Sequence, residues 1–106
     1  MKIFFRGKNN KLTNKEARQA IRFYAKKLMR SDLLKSLDLY VLFDNDKDYK
    51  GLCFYLDNNI RPREFCININ RDMSKNSQLK TIAHEMVHVR QYASGYLQDY
   101  VRPKNE

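Results

Sequence analysis

Several residue types are scarce in this chain: its 106 residues include two histidines, three glycines, two prolines, two cysteines and no tryptophan. Each shortage excludes something. Two cysteines, Cys53 and Cys66, are too few and too far apart for a thiolate metal site or a redox pair. They read as small apolar residues in a reducing compartment, with a cross-strand disulfide as the alternative. No apolar run approaches the roughly 20 residues that cross a bilayer, and no signal-peptide pattern is present, so the expectation is a soluble, cytoplasmic protein. Few glycines and prolines, no repeats and no low-complexity linker leave one domain over 1–106 with a modest core.

Acidic residues are missing from one region in particular. Residues 1–30 hold ten lysines or arginines against Glu16 alone, whereas residues 31–106 hold equal numbers of both signs. The whole formal net charge of +9 therefore comes from the N-terminal part. A field concentrated in this way favours a polyanion such as nucleic acid, and a solvated face that keeps a small protein soluble is the plainer reading.

Periodicity places the elements. Ile3, Phe4 and Phe5 mark a first short strand, closed by Gly7 and a polar turn. Thr13-Asn14-Lys15-Glu16 has the form of a capping box, opening a helix that should run to about Arg30. Ala17, Ala20, Ile21, Tyr24 and Leu28 keep helical spacing on one side. Lys15, Arg18, Arg22, Lys26 and Arg30 form a separate basic stripe, the surface expected to meet DNA if nucleic acid is a partner.

From Leu37 the period drops to two. Leu37, Leu39, Val41 and Phe43 alternate as one strand, Leu52, Phe54 and Leu56 as a second, and Phe65, Ile67 and Ile69 as a third. The short connections imply an antiparallel meander. The acids of Asn45 to Gly51 suggest a calcium loop, but their spacing does not fit the EF-hand pattern. The expected architecture is α+β: an antiparallel sheet of three to four strands packed on the basic N-terminal helix and on a last helix ending before Gly95.

That last helix carries both histidines. His84-Glu85-Met86-Val87-His88 puts them one turn apart on one side, so their imidazoles can converge on one zinc ion (Zn2+), while Glu85 can reach a water on that metal. This HExxH spacing is the zincin signature. With so few histidines in the chain, chance rarely places both at this spacing with glutamate after the first. At about 100° per residue, Leu79, Ile82, Met86, Val89 and Ala93 share one arc, with His84, His88, Gln91, Thr81 and Glu85 opposite. On this reading His84 and His88 are ligands and Glu85 is the general base. The third ligand has weak candidates. Only Asp99 and Glu106 follow His88 as carboxylates, and Tyr92, Tyr96 and Tyr100 can offer a hydroxyl to an oxyanion, although tyrosines at such spacing more often pack.

The run from Lys80 to Gly95, behind a basic helix and a meander, resembles the small SprT-like zinc metallopeptidases, especially short bacteriophage versions. The resemblance covers residues 13–96, and its specific part is the HExxH run with its flanks. It implies a minimal zincin-like fold, zinc held by His84 and His88, catalysis by Glu85, and an intracellular setting, the host cytoplasm for a phage protein. Cellular members of the family act on proteins attached to DNA. In the relatives a later acidic or histidine residue on a further helix completes the metal site, whereas this sequence stops at Glu106. The expectations are then a truncated domain, a lineage that lost the ligand, or a position filled by water or a neighbouring molecule.

Three functions compete on this reading. One is a zinc-dependent peptidase acting on peptide or protein, near DNA. Another is a non-catalytic nucleic-acid-associated or scaffold module that keeps the fold. The last is an HExxH protein that cleaves a repressor.

Overall fold

The computed structural model describes residues 1–95. It contains β1 (Lys2–Arg6), α1 (Asn14–Leu28), α2 (Ser31–Lys35), β2 (Asp38–Asp44), β3 (Gly51–Tyr55), β4 (Glu64–Asn70) and α3 (Lys75–Ala93). The α+β class is as expected. Helix α2, a single short turn between α1 and β2, has no counterpart among the expected elements.

The sheet is mixed, not an antiparallel meander. Its order is β1-β2-β4-β3, with β1 and β2 parallel, β2 and β4 parallel, and only β3 and β4 antiparallel. Two physical facts explain the difference. The connection from β1 to β2 passes through two helices, and a crossover of that length joins parallel strands. The turn after β2 is long enough for β3 to skip one strand position, which leaves the centre to β4. That place suits β4, because Phe65, Ile67 and Ile69 are completely buried there.

One face of the sheet carries the core. Leu39, Val41 and Phe43 of β2 and Phe65, Ile67 and Ile69 of β4 pack with Ala17, Ile21 and Ala25 of α1 and with Ile82, Met86, Val89 and Ala93 of α3. The apolar alternation of β3 faces the other way. Leu52 and Phe54 are exposed on the open face, and the inward positions are Gly51, Cys53 and Tyr55. On that open face Phe4 pairs with Tyr40, Tyr40 with Cys66, and Cys66 with Phe54, a row across all four strands.

Both long helices begin as the sequence requires. The Thr13 hydroxyl accepts from the Glu16 amide and the Glu16 carboxylate accepts from the Thr13 amide, each at 3.0 Å. Ser74 caps α3 by accepting from the Ser77 amide, and Gly95 takes φ +80° after its last turn. Gln78, completely buried, holds the start of α3 in place: its amide group donates to the carbonyls of Arg71 and Met73 and accepts from Asn9. At the far end the Arg63 guanidinium donates to the Ala93 carbonyl at 2.9 Å. Helix α3 is thus fastened at both ends, as a helix holding a rigid site must be.

Candidate metal centre

The histidine pair converges. His84 Nε2 and His88 Nε2 are 3.3 Å apart, with the rings near perpendicular at 86°. Two zinc–nitrogen bonds of about 2.0–2.1 Å opened to a tetrahedral angle put their nitrogens roughly 3.3–3.4 Å apart. The spacing on α3 therefore already matches one shared ion. The second nitrogen of His88 is accounted for as well: Nδ1 lies 2.9 Å from Gln91 Oε1. An amide oxygen only accepts, so Nδ1 is the donor in this contact, and Nε2 is the nitrogen turned toward His84. His84 is exposed and His88 half-buried, so both can be reached from solvent.

Glu85 is treated differently by the fold. The expected polar stripe would place it in an open cleft, but only 4 % of it is exposed, and Thr81 one turn earlier is also buried. Strand β3 covers both. Gly51 makes this possible, since a Cβ there would lie 2.4 Å from Thr81 Cγ2 and 3.0 Å from Glu85 Oε2. Burial raises the pKa of Glu85 above the usual carboxylate range, and the charges of His84 and His88 pull it partly back. A cleft of about 490 Å³ lies beside this carboxylate, lined by Lys50, Gly51, Ser77, Lys80, Thr81, His84 and Glu85.

The remaining candidates fall into place around this centre. Cys53 and Cys66 are both free, and they lie on opposite faces of the sheet, which excludes the cross-strand disulfide. Burial pushes both thiols up; at Cys53 the charge of Glu85 and then Cys66 add to it, and at Cys66 the charge of Asp44 adds. Burial therefore favours the neutral thiol at both positions. Tyr92 packs its ring on Tyr55 and Phe65, at 5.1 and 6.5 Å between centroids, as a packing residue would. Asp99, Glu106, Tyr96 and Tyr100 lie outside the described residues. Among the described residues no group of three or more His, Cys, Asp or Glu side chains is placed to hold a metal. His84 and His88 thus fit a zinc ion as two of its ligands, with Gln91 held at the other ring nitrogen of His88.

Sequence reasoning missed Gly51, Lys50, Lys80 and Ser77 as parts of the site. Lys80 and Ser77 precede His84 by four and seven residues, so helical spacing carried a usable signal for them. Nothing in the sequence near Gly51 or Lys50 says that β3 will pass over Glu85. Four members of the basic stripe, Lys15, Arg18, Arg22 and Lys26, are exposed along α1, with the Arg18 guanidinium 5.1 Å from the centre of the Phe5 ring; Arg30, also exposed, lies beyond the end of α1 as the N-cap of α2 and pairs with Asp32 at 3.5 Å. No helix among the described residues is long and apolar enough to cross a membrane. Comparison with known protein families, curated proteins and solved structures finds no match to this chain.

Proposed function

We propose that this protein is a zinc-dependent, SprT-like metallopeptidase that hydrolyses peptide bonds at the His84–Glu85–His88 centre. The observation that carries the reading is the 3.3 Å approach of the two Nε2 atoms, with Gln91 fixing one tautomer and Glu85 on the intervening turn. His84 and His88 would hold the zinc, which when bound would supply Lewis-acid polarisation of a carbonyl and a water with its pKa lowered toward about 7. Glu85 then takes a proton from the attacking water on its carboxylate and delivers it to the amine nitrogen that leaves. Burial raises its proton affinity above that of an ordinary carboxylate, which suits a group that must both accept and return a proton.

The fold also offers the substrate a place to lie. Strands β1 and β3 are the two edges of the sheet, and of these β3 is the one packed along α3. An extended peptide adding to the free edge of β3 runs past Glu85 with its backbone hydrogen bonds satisfied. In this reading the stripe from Lys15 to Arg30 sets the domain against DNA, and the free cysteines suit the cytoplasm, the host's for a phage protein.

A non-catalytic nucleic-acid-associated module is the second reading, favoured by the two-ligand set among the described residues. Zinc stoichiometry and hydrolysis of unfolded protein substrates separate the two. The wild type is expected to bind zinc and cleave. Glu85→Gln should retain zinc and the fold while losing about 10²- to 10⁴-fold in rate, and His88→Ala should lose both metal and cleavage. Cleavage that survives His88→Ala removes the zinc mechanism, whereas salt-sensitive DNA binding without hydrolysis, unchanged in Glu85→Gln, selects the module.

A further inference from the structure

We infer that the cleft beside Glu85 is a carboxylate subsite, and that the peptides acted on here carry an acidic side chain or their free C-terminus just beyond the bond that is cut. The inference rests on the peptidase reading and names its substrate class. Two ammonium groups line the cleft from opposite elements. Lys80 stands one turn before His84 on α3, and Lys50 is the last residue before β3. Both are exposed, and neither forms an ion pair among the described residues. The single negative group in the lining is Glu85, which is buried with its carboxylate against Gly51. An anion entering this cleft therefore meets two cations with no carboxylate of their own to release first.

Strand direction says which part of a peptide arrives there. Helix α3 and strand β3 run in the same sense, because Thr81 and Glu85 lie at Gly51 while Tyr92 lies at Tyr55. Antiparallel pairing is the more stable way to extend the edge. A peptide so paired passes Tyr55 first and Gly51 later, so its C-terminal portion enters the space between Lys50 and Lys80. The +9 charge of the chain draws acidic segments toward the protein, and the two lysines fix where the carboxylate stops.

The test is binding by the 106-residue Glu85→Gln chain, which does not consume its ligand. The probes are fluorescent decapeptides of one uncharged sequence, ending in Glu-Glu or Lys-Lys, each as free acid and as amide. The Glu-Glu peptides should bind roughly three- to tenfold more tightly, and Lys50→Glu with Lys80→Glu should abolish or invert that ratio. Tighter binding of the free acids than of the amides identifies the terminal carboxylate as the ligand, and a Glu-Glu over Lys-Lys preference that persists in the amides identifies the side chains. The charge-matched pair Lys2→Glu with Lys35→Glu should keep the ratio; losing it equally would show a general field and overturn the subsite. Wild-type cleavage of both sequences at equal rates, with equal binding, would also overturn it while leaving the peptidase intact. A retained binding preference without any cleavage would keep the subsite and remove the hydrolysis.

Discussion

Helices α1 and α3 contribute to the same core, yet they bury different kinds of residue. Every fully buried side chain of α1 is apolar: Ala17, Ile21 and Ala25. Helix α3 buries Ile82, Met86, Val89 and Ala93 in the same manner, but also Gln78, Thr81 and Glu85. Gln78 is explained by its four hydrogen bonds, which clamp a loop. Thr81 donates to the Ser77 carbonyl within its own helix. Among the described residues Glu85 has no hydrogen bond of this kind, and its burial raises its pKa. A carboxylate kept away from water beside two convergent imidazoles costs stability, and such a cost is a reason to read function there. The inner side of helix α1 holds apolar residues alone, and that of α3 adds three polar ones, of which Glu85 is the one the proposed chemistry uses.

The strongest way to sharpen this contrast is through Gln91, which touches the site without being a ligand. Replacing it with leucine keeps the bulk and removes the acceptor that holds the proton on His88 Nδ1. Zinc affinity, measured by competition with a chromophoric chelator, should fall roughly 10- to 100-fold with the melting temperature of the metal-free chain nearly unchanged. An exposed polar residue on the outer side of α1, such as Gln19, should show no such effect when changed in the same way. Equal zinc affinity in Gln91→Leu would mean that the contact does not set the tautomer.

Next in size is Gly51→Ala, which asks how tightly β3 must press on α3. Its methyl group has to displace Thr81 and Glu85, and such overpacking costs about 1–3 kcal/mol, readable by urea denaturation. Gly7→Ala is the useful counterpart. There the backbone sits at φ +93° and the added Cβ would meet the Phe43 carbonyl at 2.2 Å, so a similar or greater loss of stability is expected. The two should differ in function: Gly51→Ala moves Glu85 and lowers the rate of hydrolysis, and Gly7→Ala leaves the rate of the folded fraction unchanged.

How much of this was legible in the sequence follows the same division. Helix α1 was readable almost entirely, because its cap, its apolar stripe and its basic stripe are all local patterns. The histidine pair was readable for the same reason, being one turn apart. Strand order was not, since it depends on which strand is apolar enough for the centre of the sheet, and β4 won that place over β3. The burial of Glu85 was not readable either. The helical arc groups it with His84 and His88, and only the passage of Gly51, more than thirty residues earlier in the chain, separates them. Local periodicity gives the helix its faces, and the neighbouring strand decides which of them is wet.

The smallest effect lies at the start of α1, where the comparison can be made with pH. Glu16 is held at about 2 instead of the ordinary 4.5, first by the hydrogen bond from Lys75 at the start of α3 and then by the Thr13 amide. Its folded pKa lies below its unfolded one, so its contribution to stability is complete above about pH 4.5 and fades as pH falls through about 2. Thr13→Ala, which removes the other half of the box, should cost about 1 kcal/mol at neutral pH. Glu16→Gln should melt below the wild type between pH 6 and 8 by a constant margin, and the two melting curves should converge as the buffer is taken from pH 4.5 toward 2. A margin that stayed the same down to pH 2 would mean that the amide side chain's geometry, and not the charge on Glu16, is what joins the two helix starts.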